Sequence, residues 1–204
     1  MITLKEVYNK ISKQFDQTRG YVWPSIKDYL NTLKTNSKVL DIGCGNGKNM
    51  LYRPKLQMTG IDFSEEMVKI SSKKGLDVIC SDMCNLPFPD NSFDHFICVA
   101  SYHHLDNEKD RRKALNQFYR ILKNGGTGFI QVWAMEQPPE AKRRFSQEDE
   151  IVPWNDKNGQ IYYRYYHIYR KGQLEEEIKL FEPKFDIIES GYQRGNWYVI
   201  IKKD

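Results

Sequence analysis

Apolar residues recur at helical spacing near the start of the chain. Leu4, Val7, Ile11 and Phe15 lie three or four positions apart, which is the pattern of an amphipathic helix. A second apolar face follows Pro24, a residue that favours the first turn of a helix. We therefore predict two N-terminal helices ahead of the first strand.

Short apolar runs and helical stretches then alternate, which predicts a parallel sheet with helices on both faces. Ser64 is placed to cap the helix between the second and third strands. Asn124-Gly125-Gly126 predicts the end of the long helix that precedes the fifth strand. The predicted strands are residues 38–42, 58–62, 76–80, 93–100 and 127–133.

The alternation breaks after the fifth predicted strand. Residues 136–170 are rich in Pro, Arg, Tyr and acids without a clean period, and a helix is predicted over 172–181. Strands at 185–192 and 197–201 flank a tight turn, the pattern of an antiparallel hairpin. The predicted fold is α/β: a seven-stranded, mostly parallel sheet with an antiparallel C-terminal hairpin and helices on both faces. This Rossmann-like layout is that of class I methyltransferases.

Three glycines spaced every second residue follow the first strand. Asp41 precedes Gly43, Gly45 and Gly47, and glycines at this spacing let the backbone approach a ligand closely. The spacing differs from the Gly-x-Gly-x-x-Gly of dinucleotide binders, whose third glycine lies in a helix that faces a pyrophosphate. A nucleoside cofactor without phosphates is therefore favoured, and S-adenosylmethionine is the leading candidate.

Acidic residues follow the first three strands at regular intervals. In open α/β sheets, ligands bind outside the carboxyl ends of the strands. Asp62 is placed to accept from the ribose hydroxyls, and Asp82 from the adenine amine, with Met83 or Phe63 against the ring. The predicted cofactor-binding residues are Asp41, Gly43, Cys44, Gly45, Asp62, Phe63, Ser64, Asp82, Met83 and Ala100.

Composition narrows the class of protein. The net charge of +4 permits a polyanionic partner without requiring one. No segment has the roughly 20 apolar residues of a membrane span, and the N-terminus lacks the layout of a signal peptide. Cys80 and Cys84 have no second pair or nearby histidine to complete a zinc site. We expect a cytoplasmic protein with reduced thiols and no metal site.

Several other segments are more distinctive than the cofactor motif. They are Gln17-Thr18-Arg19, Asn85-Leu86-Pro87-Phe88-Pro89-Asp90, Trp133-Ala134-Met135-Glu136-Gln137, Arg143-Arg144-Phe145, Arg164-Tyr165-Tyr166-His167-Ile168-Tyr169-Arg170 and Asn196-Trp197-Tyr198-Val199. These segments resemble the eukaryotic tRNA wobble-uridine carboxyl methyltransferases, and the resemblance extends over nearly the full chain. The connection between 144 and 161 looks shorter than in fungal members.

The resemblance implies an activity and a partner. The family transfers a methyl group from S-adenosylmethionine to the carboxylate of 5-carboxymethyluridine in the tRNA anticodon, and works with a small zinc-binding activator subunit. Strand 76–80 would be the sheet edge on which this partner adds a strand. The chain is expected to form a single methyltransferase domain over 1–204, with 1–36 covering the cofactor site and 136–170 facing the substrate.

Arginines within the distinctive segments are candidates to orient the acceptor carboxylate. A carboxylate is already ionised at pH 7, so its methylation requires positioning and no general base. A bidentate arginine can hold one oxygen and leave the other free. The candidates are Arg19, Arg143, Arg144, Arg164 and Arg170, with Arg19 and Arg144 preferred. His103 and His104 follow the fourth strand and are placed to donate to the acceptor, and the predicted catalytic residues are Arg19, His103 and Arg144.

Tyrosines and cations are interleaved over residues 162–170. Unpaired bases are commonly held by stacking on aromatic rings while cations meet phosphates. The predicted substrate-binding residues are Arg143, Tyr165, His167, Arg170 and Trp133. Two other interpretations stay open at this point: a methyltransferase of the same fold acting on a small molecule, and a non-catalytic binding subunit.

Overall fold

Residues 2–204, the part of the chain that the computed structural model describes, form nine strands and five α-helices. The strands are β1 (Lys38–Ile42), β2 (Gln57–Asp62), β3 (Asp77–Cys80), β4 (Phe93–Val99), β5 (Leu122–Trp133), β6 (Asp149–Asn155), β7 (Ile161–His167), β8 (Asp186–Gln193) and β9 (Asn196–Lys202). The helices are α1 (Leu4–Thr18), α2 (Pro24–Thr32), α3 (Glu65–Ser72), α4 (Glu108–Ile121) and α5 (Gln173–Lys179), and a 3-10 helix spans Tyr102–His104.

Seven of these strands form one sheet in the order β3-β2-β1-β4-β5-β9-β8. The first five strands in this order are parallel to one another, while β9 is antiparallel to both β5 and β8. The predicted fold class is confirmed. The carboxyl ends of β1, β2 and β4 therefore meet at one edge of the sheet, where ligands bind in open α/β folds.

Helices cover both faces of this sheet. On one face, α4 and α5 bury residues such as Phe118 and Leu174 against Phe96 and Ile130. On the other face, α2 packs Ile26 and other apolar side chains against β1, β4 and β5. Because the central strands are covered on both sides, β1 and β4 read as nearly continuous apolar runs.

Local signals place the helix starts where the sequence predicts them. Ser64 caps α3 by accepting a hydrogen bond from the Met67 N–H at 3.2 Å. Pro24 is the first residue of α2. Thr3 and Glu6 form a reciprocal capping box at the start of α1. These predicted N-termini are confirmed.

The predicted end of the long helix at residues 124–126 is wrong. The long helix ends at Ile121, because Leu122 adopts an extended conformation and pairs with Phe93 in the sheet. The Gly125 N–H then donates to the Lys203 carbonyl at 2.7 Å, so this glycine belongs to the sheet connection.

Residues 136–170, which show no clean period in the sequence, contain two strands that were not predicted. β6 and β7 form an antiparallel hairpin there, separate from the main sheet. Its inner face buries Val152, Trp154, Arg164 and Tyr166. Tyrosines occupy both faces, so the polar–apolar contrast that marks a strand is missing from the sequence.

None of the helices within residues 2–204 is long and apolar enough to cross a bilayer.

Candidate active site

A cavity of about 450 Å³ opens at the carboxyl ends of the central strands. The turn after β1, the end of β2 and the segment after β4 form one side of it. α1, the β6–β7 hairpin and the loop after β5 form the opposite side. Elements far apart in sequence therefore converge on a single chamber.

The turn after β1 requires glycine for steric reasons. Gly43 has φ +71°, and a Cβ built there would lie 1.8 Å from Ser101 Oγ. Gly45 has φ +55°, and its Cβ would point towards the Phe15 ring at 3.5 Å. Both positions favour glycine because L side chains rarely adopt this backbone conformation. The backbone can consequently approach a ligand closely at this turn.

Asp62, at the end of β2, supports this turn. Its carboxylate accepts from the Gly45 N–H at 2.9 Å and from the Ser64 N–H at 2.9 Å. Burial raises the pKa of Asp62 to about 6, partly offset by these backbone hydrogen bonds. Each oxygen retains capacity to accept from a ligand, since a carboxylate oxygen has two lone pairs.

Asp41 lies fully buried beneath the same turn. Neither of its carboxylate oxygens has a hydrogen-bond partner within residues 2–204. Burial raises the pKa of Asp41 to about 7, with opposing contributions from the Lys48 ammonium and the nearby Asn49 side chain. A buried carboxyl without partners is unfavourable, so a cationic or donor group bound nearby would stabilise it. We call Asp41, Asp62 and the turn at residues 43–45 the acidic wall.

Aromatic side chains from distant elements cover the acidic wall. Tyr8 and Phe15 of α1 are 6.0 Å apart between ring centroids, and Tyr8 is 5.9 Å from Phe63. Phe15 stacks on Trp154 of β6 at 6.1 Å. α1 and the hairpin thus form one cover over the cavity.

Three arginines face the cavity from the opposite side. The Arg19 and Arg164 guanidinium groups each lie 5.0 Å from the centroid of Trp154, and that of Arg143 lies 5.5 Å from Trp133. Trp133 stacks on Tyr166 at 4.1 Å with nearly parallel rings. None of the three arginines forms an ion pair within residues 2–204, whereas other arginines do. We call these arginines with Trp133, Trp154 and Tyr166 the cationic wall.

Burial distinguishes Arg164 from its two neighbours. Arg164 is 5% exposed, and its Nε has no partner among the described residues. Arg19 and Arg143 are exposed at the rim. A buried guanidinium without a carboxylate is unfavourable unless a ligand supplies one, so an anionic ligand is expected on this side of the cavity.

Two adjacent histidines line the cavity between the walls. The Trp133 N–H donates to Nδ1 of His103 at 3.0 Å. His104 hydrogen-bonds through Nδ1 with the Tyr165 carbonyl and through Nε2 with the Tyr8 hydroxyl, both at 2.7 Å. Burial lowers the pKa of His103 well below its usual value and that of His104 to about 3. Both rings are therefore neutral at physiological pH.

Most of the predicted cofactor-binding residues lie at or beneath the cavity. Those that line it directly are Gly43, Cys44, Gly45, Asp62, Phe63 and Ala100. Ser64 is buried as the cap of α3. Asp82 is exposed and accepts from the Cys84 N–H at 2.8 Å, and Met83 packs against the core. Neither of these last two residues lines the cavity.

The predicted catalytic and substrate-binding residues divide between the cavity and its surroundings. Arg19, His103, Arg143 and Trp133 line the cavity. Arg144 is exposed and donates to carbonyls of its own loop, including that of Pro139 at 2.8 Å.

Three other predicted substrate residues lie outside the cavity. Tyr165 and His167 both hydrogen-bond to Asp149, and Arg170 forms an ion pair with Glu148 at 2.8 Å. These contacts connect β7 to β6 and to the loop before it.

The cavity residues absent from the predicted site include Tyr8, Phe15, Lys48 and Ser101. Tyr8 and Phe15 carry a usable signal, because two large rings lie on one face of α1. Lys48 and Ser101 carry none, since their placement depends on how the turn after β1 meets the segment after β4.

Comparisons with known proteins agree with this geometry. A family model described as a methyltransferase domain matches residues 40–130. Among solved structures, a Haloferax volcanii complex between the Trm112 methyltransferase activator and a methyltransferase superposes with a TM-score of 0.73, at 16% identity and covering 98% of this chain and 97% of that one. A S-adenosylmethionine-bound amino pentose methyltransferase from Micromonospora echinaspora superposes with a TM-score of 0.68 at 15% identity, covering 95% of this chain and 97% of that one. Fold and site thus define a class I methyltransferase.

Sequence relatives narrow the class further. A Schizosaccharomyces pombe tRNA (carboxymethyluridine(34)-5-O)-methyltransferase is 38% identical over 98% of this chain and 95% of its own length. The chain belongs to this family of tRNA (carboxymethyluridine(34)-5-O)-methyltransferases. A Xenopus tropicalis relative with the same activity in its name is 29% identical. The match covers 97% of this chain and 40% of that longer protein.

Proposed function

We propose that this protein transfers a methyl group from S-adenosylmethionine to the carboxylate of 5-carboxymethyluridine at the tRNA wobble position. The observation that carries the proposal is the division of one cavity into an acidic wall and a cationic wall, in a chain of this family. A cationic methyl donor matches the first wall, and an anionic acceptor matches the second. A cavity of about 450 Å³ is large enough for a nucleoside-sized ligand.

The acidic wall fits the cofactor. The unpartnered Asp41 carboxyl lies beneath a turn whose two glycines have positive φ, and at Gly43 a Cβ would collide with Ser101. Asp62 would hold the ribose hydroxyls, while Phe63 and Cys44 border the space beside it. When bound, S-adenosylmethionine supplies a methyl group on a positively charged sulfur, which an acceptor oxygen takes while the sulfur keeps the bonding electron pair.

The residues of the cationic wall would bind and orient the acceptor. The carboxylate is ionised at neutral pH, so no side chain has to remove a proton. Arginines hold it in position, and the buried aromatic rings exclude water from the reacting oxygen. This is catalysis by positioning, in which fixed geometry replaces acid–base chemistry.

The wobble base would stack against the rings of the cationic wall. Trp133 and Tyr166 already stack on each other, and Arg143 lies over Trp133. Stacking on aromatic side chains contributes about 1–3 kcal/mol per base. Exposed Arg19 and Arg143 at the rim are placed to meet the anticodon backbone. Residues 1–36 and 136–170 would keep the covering and substrate-facing roles expected of them.

A small zinc-binding activator subunit would add to the free edge of the sheet at β3. β3 pairs only with β2, and Ile79 on it is 38% exposed. A strand with unpaired backbone groups is a template for strand addition. The methyltransferase superposed above is named in complex with the Trm112 methyltransferase activator. Four free cysteines support a reducing, cytoplasmic setting.

The test is methyl transfer from labelled S-adenosylmethionine to tRNA that carries 5-carboxymethyluridine, with the activator co-expressed. The control tRNA carries unmodified uridine. Base-labile label on the modified tRNA alone is the expected result, because a methyl ester hydrolyses in base. Cofactor binding without label would move the proposal to a small-molecule acceptor. Loss of cofactor binding would favour a non-catalytic module.

A further inference from the structure

His103 has a proton position that its surroundings fix. The Trp133 backbone N–H can only donate, so the Nδ1 that it reaches at 3.0 Å must accept. In a neutral imidazole the proton then lies on Nε2. That Nε2 makes no well-formed hydrogen bond within residues 2–204, although the Ala100 backbone lies near enough to the ring to raise its pKa. The ring lies beside the cavity and is 0% exposed, so its donor is available to a ligand that displaces the side chains covering it.

The neighbouring His104 has the opposite tautomer. The Tyr165 carbonyl can only accept, so Nδ1 of His104 carries the proton, and Nε2 accepts from the Tyr8 hydroxyl. Both of its nitrogens are used to hold α1 against β7. His104 is thus occupied by structural contacts, and the free donor belongs to His103 alone.

Arg164 also has a donor without a partner, and its guanidinium lies near the same aromatic ring as His103, that of Tyr166. The His103 ring centroid is 4.9 Å from that of Tyr166, and the Arg164 guanidinium is 5.3 Å from it. Both side chains are at least nine-tenths buried, and both have an unpartnered nitrogen. A ligand with two acceptor atoms and a negative charge would satisfy both.

We propose that His103 Nε2 and Arg164 are the pair that binds the two oxygens of the acceptor carboxylate. This assignment rests on the proposed function and replaces the preferred pair Arg19 and Arg144. Arg164 supplies the charge, and His103 supplies a neutral donor that fixes the orientation. Burial and the nearby Arg164 keep the imidazole neutral by lowering its pKa.

A mixed pair of this kind suits the reaction. Methyl transfer converts the carboxylate to a neutral ester, so the attraction to Arg164 is largely lost on the product side. A second cation would hold the substrate more tightly without helping the transition state. The pair therefore predicts tight binding of the acid and easy release of the ester.

The experiment compares binding of two anticodon stem-loops that differ only at the wobble uridine, one with the carboxymethyl acid and one with its methyl ester. The full chain with its activator should bind the acid at least about tenfold more tightly, as expected for hydrogen bonds to a charged group. Arg164→Gln should bring this ratio close to one. Arg112→Gln, which changes an exposed arginine paired with Glu108 on α4, should leave it unchanged.

Conservative variants separate binding from folding. His103→Leu should reduce the ratio several-fold, and His103→Gln should restore much of it, because an amide can accept from Trp133 and donate to the acceptor. Arg164→Lys should retain part of the preference. Cofactor affinity is measured on every variant as a check that the fold is intact. Histidine nitrogen NMR should show His103 protonated at Nε2 and not titrating between about pH 6 and 8.

Two results from the variants would overturn the assignment. One is an unchanged acid preference in Arg164→Gln, and the other is loss of the preference in Arg19→Gln alone. A wild-type protein that methylates the acid yet binds acid and ester equally would also contradict it. If the wild type binds cofactor but does not methylate the acid stem-loop, the proposed function itself fails, which is a distinguishable outcome.

Discussion

The two walls of the cavity differ in charge and in construction. The acidic wall is built on the ends of parallel strands, and its carboxyl groups are buried with raised pKa values. The cationic wall is built from α1, the β6–β7 hairpin and a loop, and its arginines lack acidic partners within the described chain. A cationic donor and an anionic acceptor can thus be held face to face although free carboxylates and arginines would otherwise pair with each other.

This difference shows how one cavity can bind two ligands of opposite charge. Neither wall forms an ion pair within residues 2–204, although Lys48 lies near enough to Asp41 to lower its pKa, so each wall gains a direct ionic partner when its ligand binds. Changes on one wall should therefore affect one ligand far more than the other. The predictions below use this separation, and a variant that weakens both ligands equally would break it.

The largest effect is expected from Gly43→Ala. The added Cβ would lie 1.8 Å from Ser101 Oγ at a φ of +71°, so the turn must move. We expect cofactor affinity to fall at least about a hundredfold, since the backbone would no longer fit the ligand. Isothermal titration with S-adenosylhomocysteine measures it.

Gly125→Ala is the matched control for this variant. Gly125 has φ +75° but nothing within 4 Å of a built Cβ. It should lose only about 1–2 kcal/mol of stability from the left-handed conformation and keep its cofactor affinity. Equal loss of affinity in both variants would attribute the effect to backbone strain rather than to the cradle.

The next effect is expected from Trp154→Leu on the cationic wall. Trp154 stacks on Phe15 and contacts both Arg19 and Arg164, so its loss leaves two arginines unsupported. We expect KM for tRNA to rise about tenfold, in line with the loss of one stacking partner. Cofactor affinity should change much less, as measured by the same titration.

Tyr163→Leu is the control for the hairpin. Tyr163 lies on the opposite face of β7 and is 59% exposed. Its substitution should leave both KM and cofactor affinity near the wild-type values. A tRNA defect as large as that of Trp154→Leu would show that the outer face of the hairpin also binds RNA.

A smaller effect is expected from pH on the acidic wall. The pKa values of Asp62 and Asp41 are raised to about 6 and about 7 by burial. The cationic S-adenosylmethionine favours the ionised forms of both carboxyl groups, so its binding releases protons. Its affinity should rise by about tenfold as pH increases from about 5.5 to 8. Titrations in buffers of different ionisation enthalpy measure the proton release. Asp62→Asn should flatten the profile.

The stability of the ligand-free protein should change in the opposite direction. An acid whose pKa is raised in the folded state binds protons more readily there than in the unfolded chain. The contribution of Asp41 and Asp62 to the free energy of unfolding is therefore fully present below about pH 4 and is lost progressively as pH rises to about 6 and 7. Urea unfolding of the wild type and of Asp62→Asn at pH 5.5 and 8 would reveal it, and identical pH dependence would contradict it.

The smallest effect is expected from pH on the cationic wall. Burial keeps His103 and His104 neutral, because it lowers both pKa values far below 7. With cofactor and tRNA saturating, kcat should be flat between about pH 6 and 8.5, since the carboxylate needs no base. A tenfold inflection near pH 6.5 would assign proton transfer to one of the histidines.

The acidic wall was largely predictable from the sequence because its parts follow local rules. Glycine spacing and an acid at a strand end specify this turn locally, without information from the rest of the chain. Asp82 shows where such a rule stops: it follows a short edge strand, and its carboxylate accepts from Cys84 at the surface. Asp82 and Met83 stay predictions as cofactor contacts.

The cationic wall was less predictable because it depends on tertiary pairing. Arg144 and Arg170 occur in the same distinctive segments as Arg164, yet Arg144 donates to its own loop and Arg170 pairs with Glu148. Nothing local distinguishes an arginine with a partner from one without. The hairpin that buries Arg164 was also not predictable from the sequence pattern, since tyrosines occupy both of its faces.

The most direct test of the divided cavity is a crystal structure of the protein with its activator, S-adenosylhomocysteine and a stem-loop that carries 5-carboxymethyluridine. The account predicts the ribose at Asp62 and the uridine carboxylate between Arg164 and His103 Nε2. A carboxylate bound by Arg144, or a wobble base that lies outside the cavity, would contradict it.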